Sequence, residues 1–305
     1  MGRGSYTASD WAKLRTSKGL IRNQNVEGIF LNKKSESIYD SRNVKTRESR
    51  DSEDSPKSTP IIIGFDVTGS MGYLAKELAV NAVNKTVLTL LGEKLVLNPQ
   101  IMCSAIGDCK CDVTPLQVTQ FESDIRIIQQ LCRLHLEGGG GGNGAESYNL
   151  LWYFASHHTV HDNFEKRGEK GFLFTIGDDS CHAELAVQEI QRVFTDTVPY
   201  NLSNRELLTE VQKKYYVIHI HIEKNIVRDK EIFEEWHRLL PGGSTMINAK
   251  EIEYLADLIT AIVAVLSGKN VNQVLRNMDQ KSAEIIARSV AMIEGKQIIK
   301  KTISF

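Results

Sequence analysis

The sequence predicts an α/β fold: a doubly wound, mostly parallel six-stranded sheet with one antiparallel edge hairpin, an N-terminal extension and a C-terminal helical tail. Three observations predict it. From Pro60 onward, short apolar runs alternate with stretches of helical spacing. The runs are continuously apolar, as in Ile61-Ile62-Ile63, which is the pattern of strands covered on both faces. Polar turn residues collect at their C-terminal ends, the edge where open α/β sheets hold ligands.

The elements follow in order. Residues 1–58 are polar and form an extension or strap. In it, Asp10-Trp11-Ala12-Lys13-Leu14 begins a short helix capped by Ser9 or Asp10. Ser41–Lys57 alternates charges as a linker or surface-hugging strap; disorder is the bland expectation for 1–58, against which Trp11, Ile21, Ile29, Phe30 and Tyr39 are anchors enough to wrap it on a neighbouring surface. The main domain spans 59–268. Ile61–Asp66 is its first strand, and Leu74, Leu78, Val83, Val87 and Leu91 mark a helix over 74–91. Gln100–Gly107 and Val113–Phe121 are strands joined by a connection short enough for an antiparallel pair. Helices over Asp124–Leu136 and Tyr148–His157 flank the glycine run Gly138–Gly142. Then come a strand at Gly171–Ile176, helices at Ala183–Phe194 and Asn204–Lys213, and a strand at Tyr215–Ile222. A helix at Lys230–Leu240, a strand at Ser244–Ile247 and a helix at Glu251–Leu266 close the domain. In the tail, 269–305, Val271, Leu275, Met278, Ile285, Val290 and Ile293 fit one amphipathic helix or two.

Composition narrows the class. Charged residues make up 25% of the 305 and the net charge is −1, as in a soluble globular protein with no global bias toward nucleic acid. Residues 1–60 hold 12 Lys and Arg against 8 Asp and Glu, a mild basic excess read as a solvated segment. Five cysteines, an odd number, and no apolar leader after Met1 point to reduced thiols in a cytoplasmic compartment. The run Leu258–Leu266 is too short to span a bilayer, so no membrane partner is expected.

The most informative turn is Asp66-Val67-Thr68-Gly69-Ser70. One carboxylate and two hydroxyls at alternate positions are hard oxygen donors, suited to Mg²⁺, with Mn²⁺ or Ca²⁺ as alternatives. The bland alternative is a capping turn in which Ser70 starts the next helix.

This turn resembles the DxSxS metal-ion-dependent adhesion site (MIDAS) of von Willebrand factor A (vWA) domains, a Rossmann-like family. Two further loops agree with the bacterial intracellular type. Gly138-Gly139-Gly140-Gly141-Gly142-Asn143-Gly144-Ala145-Glu146 is similar to its GGGxGPE loop, and Thr175-Ile176-Gly177-Asp178-Asp179-Ser180-Cys181-His182 to its IGDAPPH strand end. Gly107-Asp108 resembles the family's GD, and Gly242-Gly243-Ser244 also fits. The resemblance covers roughly residues 60–266. It implies that Thr68 and Ser70 ligate the metal through their hydroxyls, that Asp66 acts directly or through a water, and that Asp178 completes the shell from the third loop through water. Asn143 stands where relatives carry Asp, so the second-loop ligand is a weak one; Gly69, Asp108, Gly142, Glu146 and Asp179 support the loops. With so few anions, the ion keeps an open position for a partner's Asp or Glu.

Cys109 and Cys111 follow the second strand while Cys181 and His182 follow the fourth, which makes a zinc set conceivable, against a plain packing role. Cys103 and Cys132 read as buried fillers. His219 and His221 share one face of a strand and read as core histidines, while His157, His158 and His161 fall at a helix end.

The resemblance implies a non-enzymatic, metal-dependent adaptor or scaffold inside the cell, of the kind that works with AAA+ ATPases, kinases or phosphatases. One alternative is a structural assembly protein whose vWA domain is a passive scaffold. The other is a metal-dependent phosphoester or nucleotide hydrolase, with Asp108, Glu146 and Asp179 as the only candidate bases.

Overall fold

In the computed structural model, residues 7–17, 34–71, 74, 81–93, 95–136, 144–276 and 278–293 are described. Six strands build the main sheet: β1 (Thr59–Asp66), β2 (Pro99–Ile106), β3 (Leu116–Val118), β4 (Gly171–Gly177), β5 (Tyr215–Glu223) and β6 (Ser244–Asn248). Their spatial order is β6-β5-β4-β1-β2-β3. All neighbours run parallel except β2 and β3, where Ser104 faces Val118 in an antiparallel pair. The order reverses direction at β1, so the crevice between the ends of β1 and β4 is the sheet's topological switch point.

The continuous apolar runs are explained by cover on both faces. Ile61, Ile63 and Phe65 of β1 belong to one core, shared with helices α1 (Val83–Gly92), α6 (Leu255–Leu266) and α7 (Gln280–Val290). Ile62 points the other way, into a core with α2 (Tyr148–His157), α3 (Val187–Phe194), α4 (Asn204–Lys214) and α5 (Ile226–Leu239). Gly64 on that second face packs tightly, since a Cβ there would overlap the side-chain ends of Leu151 of α2 and Ile106 of β2. The absent side chain sets how closely α2 approaches the sheet.

Residues 34–58 run along the sheet's edge. Tyr39 is buried, its carbonyl accepts from Val118 N at 2.8 Å, and Asp40 bridges Gln117, so the short edge strand β3 is covered. Arg47–Ser49 then pairs in parallel with Thr159–His161. Further on, Asp51 binds Arg167 at 2.7 Å and Arg50 binds Asp162 at 2.9 Å. At the other end, Val271–Leu275 and α7 form two helices, and Ile285, Ile286, Val290 and Ile293 enter the core. The Thr245 hydroxyl of β6 donates to Ser289 O at 2.7 Å, fixing α7 on the last strand.

Several boundaries differ from those the sequence predicts. The first helix, Ala8–Ser17, is capped by Thr7 rather than Ser9 or Asp10; Thr7 Oγ1 and Asp10 Oδ2 lie 2.7 Å apart. The Trp11 side chain, Ile21, Ile29 and Phe30 lie outside the described residues. Strand β3 is only Leu116–Val118, because Thr119 turns its hydroxyl onto Cys103 N at 2.9 Å. The helix expected over Asp124–Leu136 is Arg126–Leu131. Helix α3 starts at Val187, not Ala183, since Glu184–Leu185 pairs with Leu202–Ser203 and Glu189 reaches back to Ala186 N at 2.8 Å. Residues Ala249–Tyr254 form a 3-10 turn ahead of α6. No helix among the described residues is long and apolar enough to cross a membrane.

Candidate metal centre

Strand β1 delivers Asp66 to the switch point, fully buried. Its Oδ1 accepts from Thr68 N at 2.8 Å and from Thr68 Oγ1 at 2.7 Å, an Asx-type turn that folds the loop back over the strand end. Thr68 Oγ1 lies 3.3 Å from Ser70 Oγ, and Ser70 Oγ donates to Asp178 Oδ1 at 2.7 Å. The oxygens of Asp66, Thr68, Ser70 and Asp178, picked out from two separate loops, therefore form one connected chain.

Glu146 joins this cluster. It is 5% exposed, and its Oε2 is buried without a hydrogen-bond partner among the described residues. Burial, followed by the charges of Asp66 and Asp108, pushes its carboxyl up to about 9; the Thr68 hydroxyl beside it pulls the other way. Asp66 is pushed up to about 7, first by burial, with the bonds from Thr68 opposing and the charge of Asp178 adding to it. These buried carboxyls lie close enough for their charges to raise one another's pKa. Gly138–Gly142 and Asn143 lie outside the described residues, so the weak ligand expected there is not placed. Gly69 is exposed at the turn.

Two residues that the sequence reading missed sit against the cluster. Lys224, the first residue after β5, places Nζ 2.7 Å from Asp178 Oδ2 and 2.5 Å from Ser70 O. Applying the strand-end rule to β5 as well as to β1 and β4 finds it. Tyr148, at the start of α2, donates its hydroxyl to Asp66 Oδ2 at 3.2 Å. Tyr148 stands edge-on to Trp236, and His219 stacks on Trp236 with centroids 3.4 Å apart. His219 and His221 are fully buried core residues, as expected, and burial lowers the pKa of both.

The neighbouring loops carry a second polar group. Asp108, fully buried, accepts from Lys110 N at 2.9 Å, lies 2.7 Å from His182 Nε2, and accepts from Cys111 Sγ at 3.3 Å. Asp179 pairs with Arg228, and its carbonyl accepts from Trp236 Nε1 at 3.0 Å. Both side chains thus tie neighbouring elements together, Asp108 the loops after β2 and β4, and Asp179 the end of β4 to α5. The zinc set is not assembled: Cys109 and Cys181 are thiols whose pKa burial pushes up to about 11 and about 12, while Cys111 and His182 are turned onto Asp108. Among the described residues no three His, Cys, Asp or Glu side chains form a metal-binding group, so a cation at the switch point relies on the two hydroxyls as well. Cys103 and Cys132 are buried. His157 and His158 end α2 as expected, but His161 lies past that end and caps the next helix, its Nδ1 accepting from Phe164 N at 3.1 Å.

The donor set fits a hard divalent cation. Carboxylate and hydroxyl oxygens converge, and Glu146 Oε2, without a partner among the described residues, is the kind of buried acceptor that such an ion satisfies.

No family model matches the chain, and no curated protein matches it. Among solved structures, it is similar to the pilus adhesin SpaC from Lactobacillus rhamnosus GG in its open conformation. There the TM-score is 0.46 and the identity 9%, over 72% of this chain and 31% of that one. It is also similar to a von Willebrand factor type A protein from Catenulispora acidiphila, with TM-score 0.38, identity 16%, and 70% and 43% of the two chains covered. For proximal thread matrix protein 1 from the mussel byssus the TM-score is 0.42 and the identity 12%, covering 72% of this chain and 48% of that one. The chain thus spans less than half the length of each. All three scores lie below 0.5, so the doubly wound α/β class rests on the strand order and register themselves.

Proposed function

We propose that Asp66, Thr68, Ser70 and Asp178 hold a divalent cation, Mg²⁺ by the hardness of the oxygens, with Glu146 beside them, in a vWA-type module that binds proteins without catalysing a reaction. The observation that carries this is the connected Asp66–Thr68–Ser70–Asp178 chain beside the buried Glu146 Oε2, which has no partner among the described residues. A bound ion would supply a Lewis-acidic position that an Asp or Glu carboxylate of a partner protein can enter. The chain's own residues supply the rest: Tyr148 orients Asp66, and Ser70 orients Asp178. The rim suits a protein surface. Val113 lies on the loop after β2, and Ile226 and Val227 follow Lys224; all three are more than 70% exposed. An adaptor or scaffold role in the cytoplasm fits this reading, with the unbridged Cys103, Cys109, Cys111, Cys132 and Cys181 in keeping with a reducing compartment.

A second reading, a passive scaffold in a structural assembly, is favoured by Lys224, whose ammonium already contacts Asp178. Calorimetric titration with Mn²⁺ and Mg²⁺ separates the two. Saturable one-to-one binding by the wild type, lost in Asp66→Ala, supports the metal-dependent module. Absence of binding to the wild type leaves only the passive scaffold.

A further inference from the structure

Lys224 touches the same oxygens that the proposed ion would use. Its Nζ reaches Asp178 Oδ2 and the Ser70 carbonyl, and lies 3.9 Å from Met71 Sδ. The base of the side chain is fixed: buried Asp229 accepts from both Lys224 N and Asn225 N, at 2.5 and 2.7 Å, at the start of α5. Beyond that anchor runs a flexible four-carbon stem, with the side chain 27% exposed. Its ammonium is therefore a tethered cation with a clear way out to solvent.

We propose that Lys224 is the residue that sets the affinity of this site, because its ammonium and a divalent ion compete for Asp178 and the Ser70 loop. The inference rests on the proposed metal site. Asp178 accepts from Ser70 through Oδ1 and from Lys224 through Oδ2, so a cation that takes Oδ2 meets the Lys224 ammonium as a like-charged competitor. Charge-assisted bonds of this kind are the strong ones. The displaced ammonium moves to the rim beside exposed Ile226 and Val227, where it favours an acidic partner. Metal entry and readiness for an acidic ligand are then one event.

The test compares Mn²⁺ affinity of the wild type, Lys224→Met and Lys224→Arg by calorimetry, with thermal unfolding in EDTA alongside. Removing the competing charge is expected to tighten Mn²⁺ binding by roughly ten- to a hundredfold in Lys224→Met. Lys224→Arg is expected to stay near the wild type. In EDTA the Met variant melts earlier, and Mn²⁺ reverses the loss. Should Lys224→Met not fold, Lys224→Gln keeps a donor for Asp178 without the charge and carries the same comparison. Equal or weaker binding by the uncharged variants, with the wild type binding, overturns the competition and leaves the metal site standing. Binding by the uncharged variant alone supports the competition and overturns the metal-dependent module. No binding by any variant overturns the site and the competition together.

Discussion

The Tyr148 hydroxyl reaches Asp66 Oδ2, 3.2 Å away, only because residue 177 is glycine. A Cβ on Gly177 would overlap the Tyr148 hydroxyl and crowd Asp66 itself. The glycine of the strand-end motif thus has a concrete task in this chain. It opens a channel through which α2 steadies the first carboxylate of the cluster.

Gly177→Ala is therefore expected to destabilise the fold by about 1–3 kcal/mol through overpacking. Tyr148→Phe removes one hydrogen bond to a carboxyl, a loss of about 1–2 kcal/mol. The double variant should lose less than the sum, since the clashing hydroxyl has gone. Urea unfolding of all four proteins gives the coupling; strict additivity would mean that Gly177 and Tyr148 do not meet.

Glu146→Gln separates stability from binding. The amide replaces a buried carboxyl that has an unsatisfied oxygen, and it can donate toward the neighbouring acids. Stability in EDTA is expected to rise by about 1 kcal/mol, the order of one relieved buried polar group. Mn²⁺ affinity should fall roughly tenfold, as a carboxyl that can ionise beside the cation is lost. A variant less stable in EDTA, or one binding Mn²⁺ as tightly as the wild type, would exclude Glu146 from the cluster.

The sheet was legible because its strands are apolar on both faces, which leaves only the topology to infer. All six strands were identified from Ile61–Asp66 onward, and the switch-point turn followed from its oxygens. What escaped is what sequence spacing does not encode. Lys224 and Tyr148 lie 158 and 82 residues from Asp66 and are brought to it by β5 and α2. Strand β3 and helix α3 are shorter than the spacing predicts because individual side chains, Thr119 and Glu189, take over backbone donors at their ends. His161 was assigned to the wrong helix end, since a histidine that accepts at an N-cap looks in sequence like one that donates at a C-terminus.

His161 also sets a pH dependence. Burial, then Lys214, Arg167 and Arg50, lower its pKa from 6.5 to about 4, while Asp162 opposes. The unfolded chain therefore binds the proton first as pH falls. Stability is full above about pH 6.5 and is lost progressively down to about pH 4, by roughly 2–3 kcal/mol from this residue. His161→Asn keeps an acceptor for Phe164 N but does not titrate, so its stability should fall less steeply over that window. Denaturation midpoints at pH 7, 5.5 and 4.5 check this. Parallel slopes for the two proteins would mean that His161 is not held neutral.

The strap depends on a buried cation. Arg47 is 7% exposed, and its Nη2 donates to Ile38 O at 2.6 Å and to Val118 O at 2.9 Å, tying the strap to the edge strand. Burial lowers its pKa to about 10, which leaves it charged at neutral pH. Arg47→Ala strands two carbonyls and removes the packed stem, a cost of about 3 kcal/mol. The Val118 amide, which donates to Tyr39 O, should lose most of its protection from hydrogen exchange, while amides in the middle of β1 change only with global stability. If Val118 keeps its protection, the strap is held instead by the ion pairs of Asp51 with Arg167 and Arg50 with Asp162. In that case Arg167→Ala, not Arg47→Ala, would free the edge of the sheet.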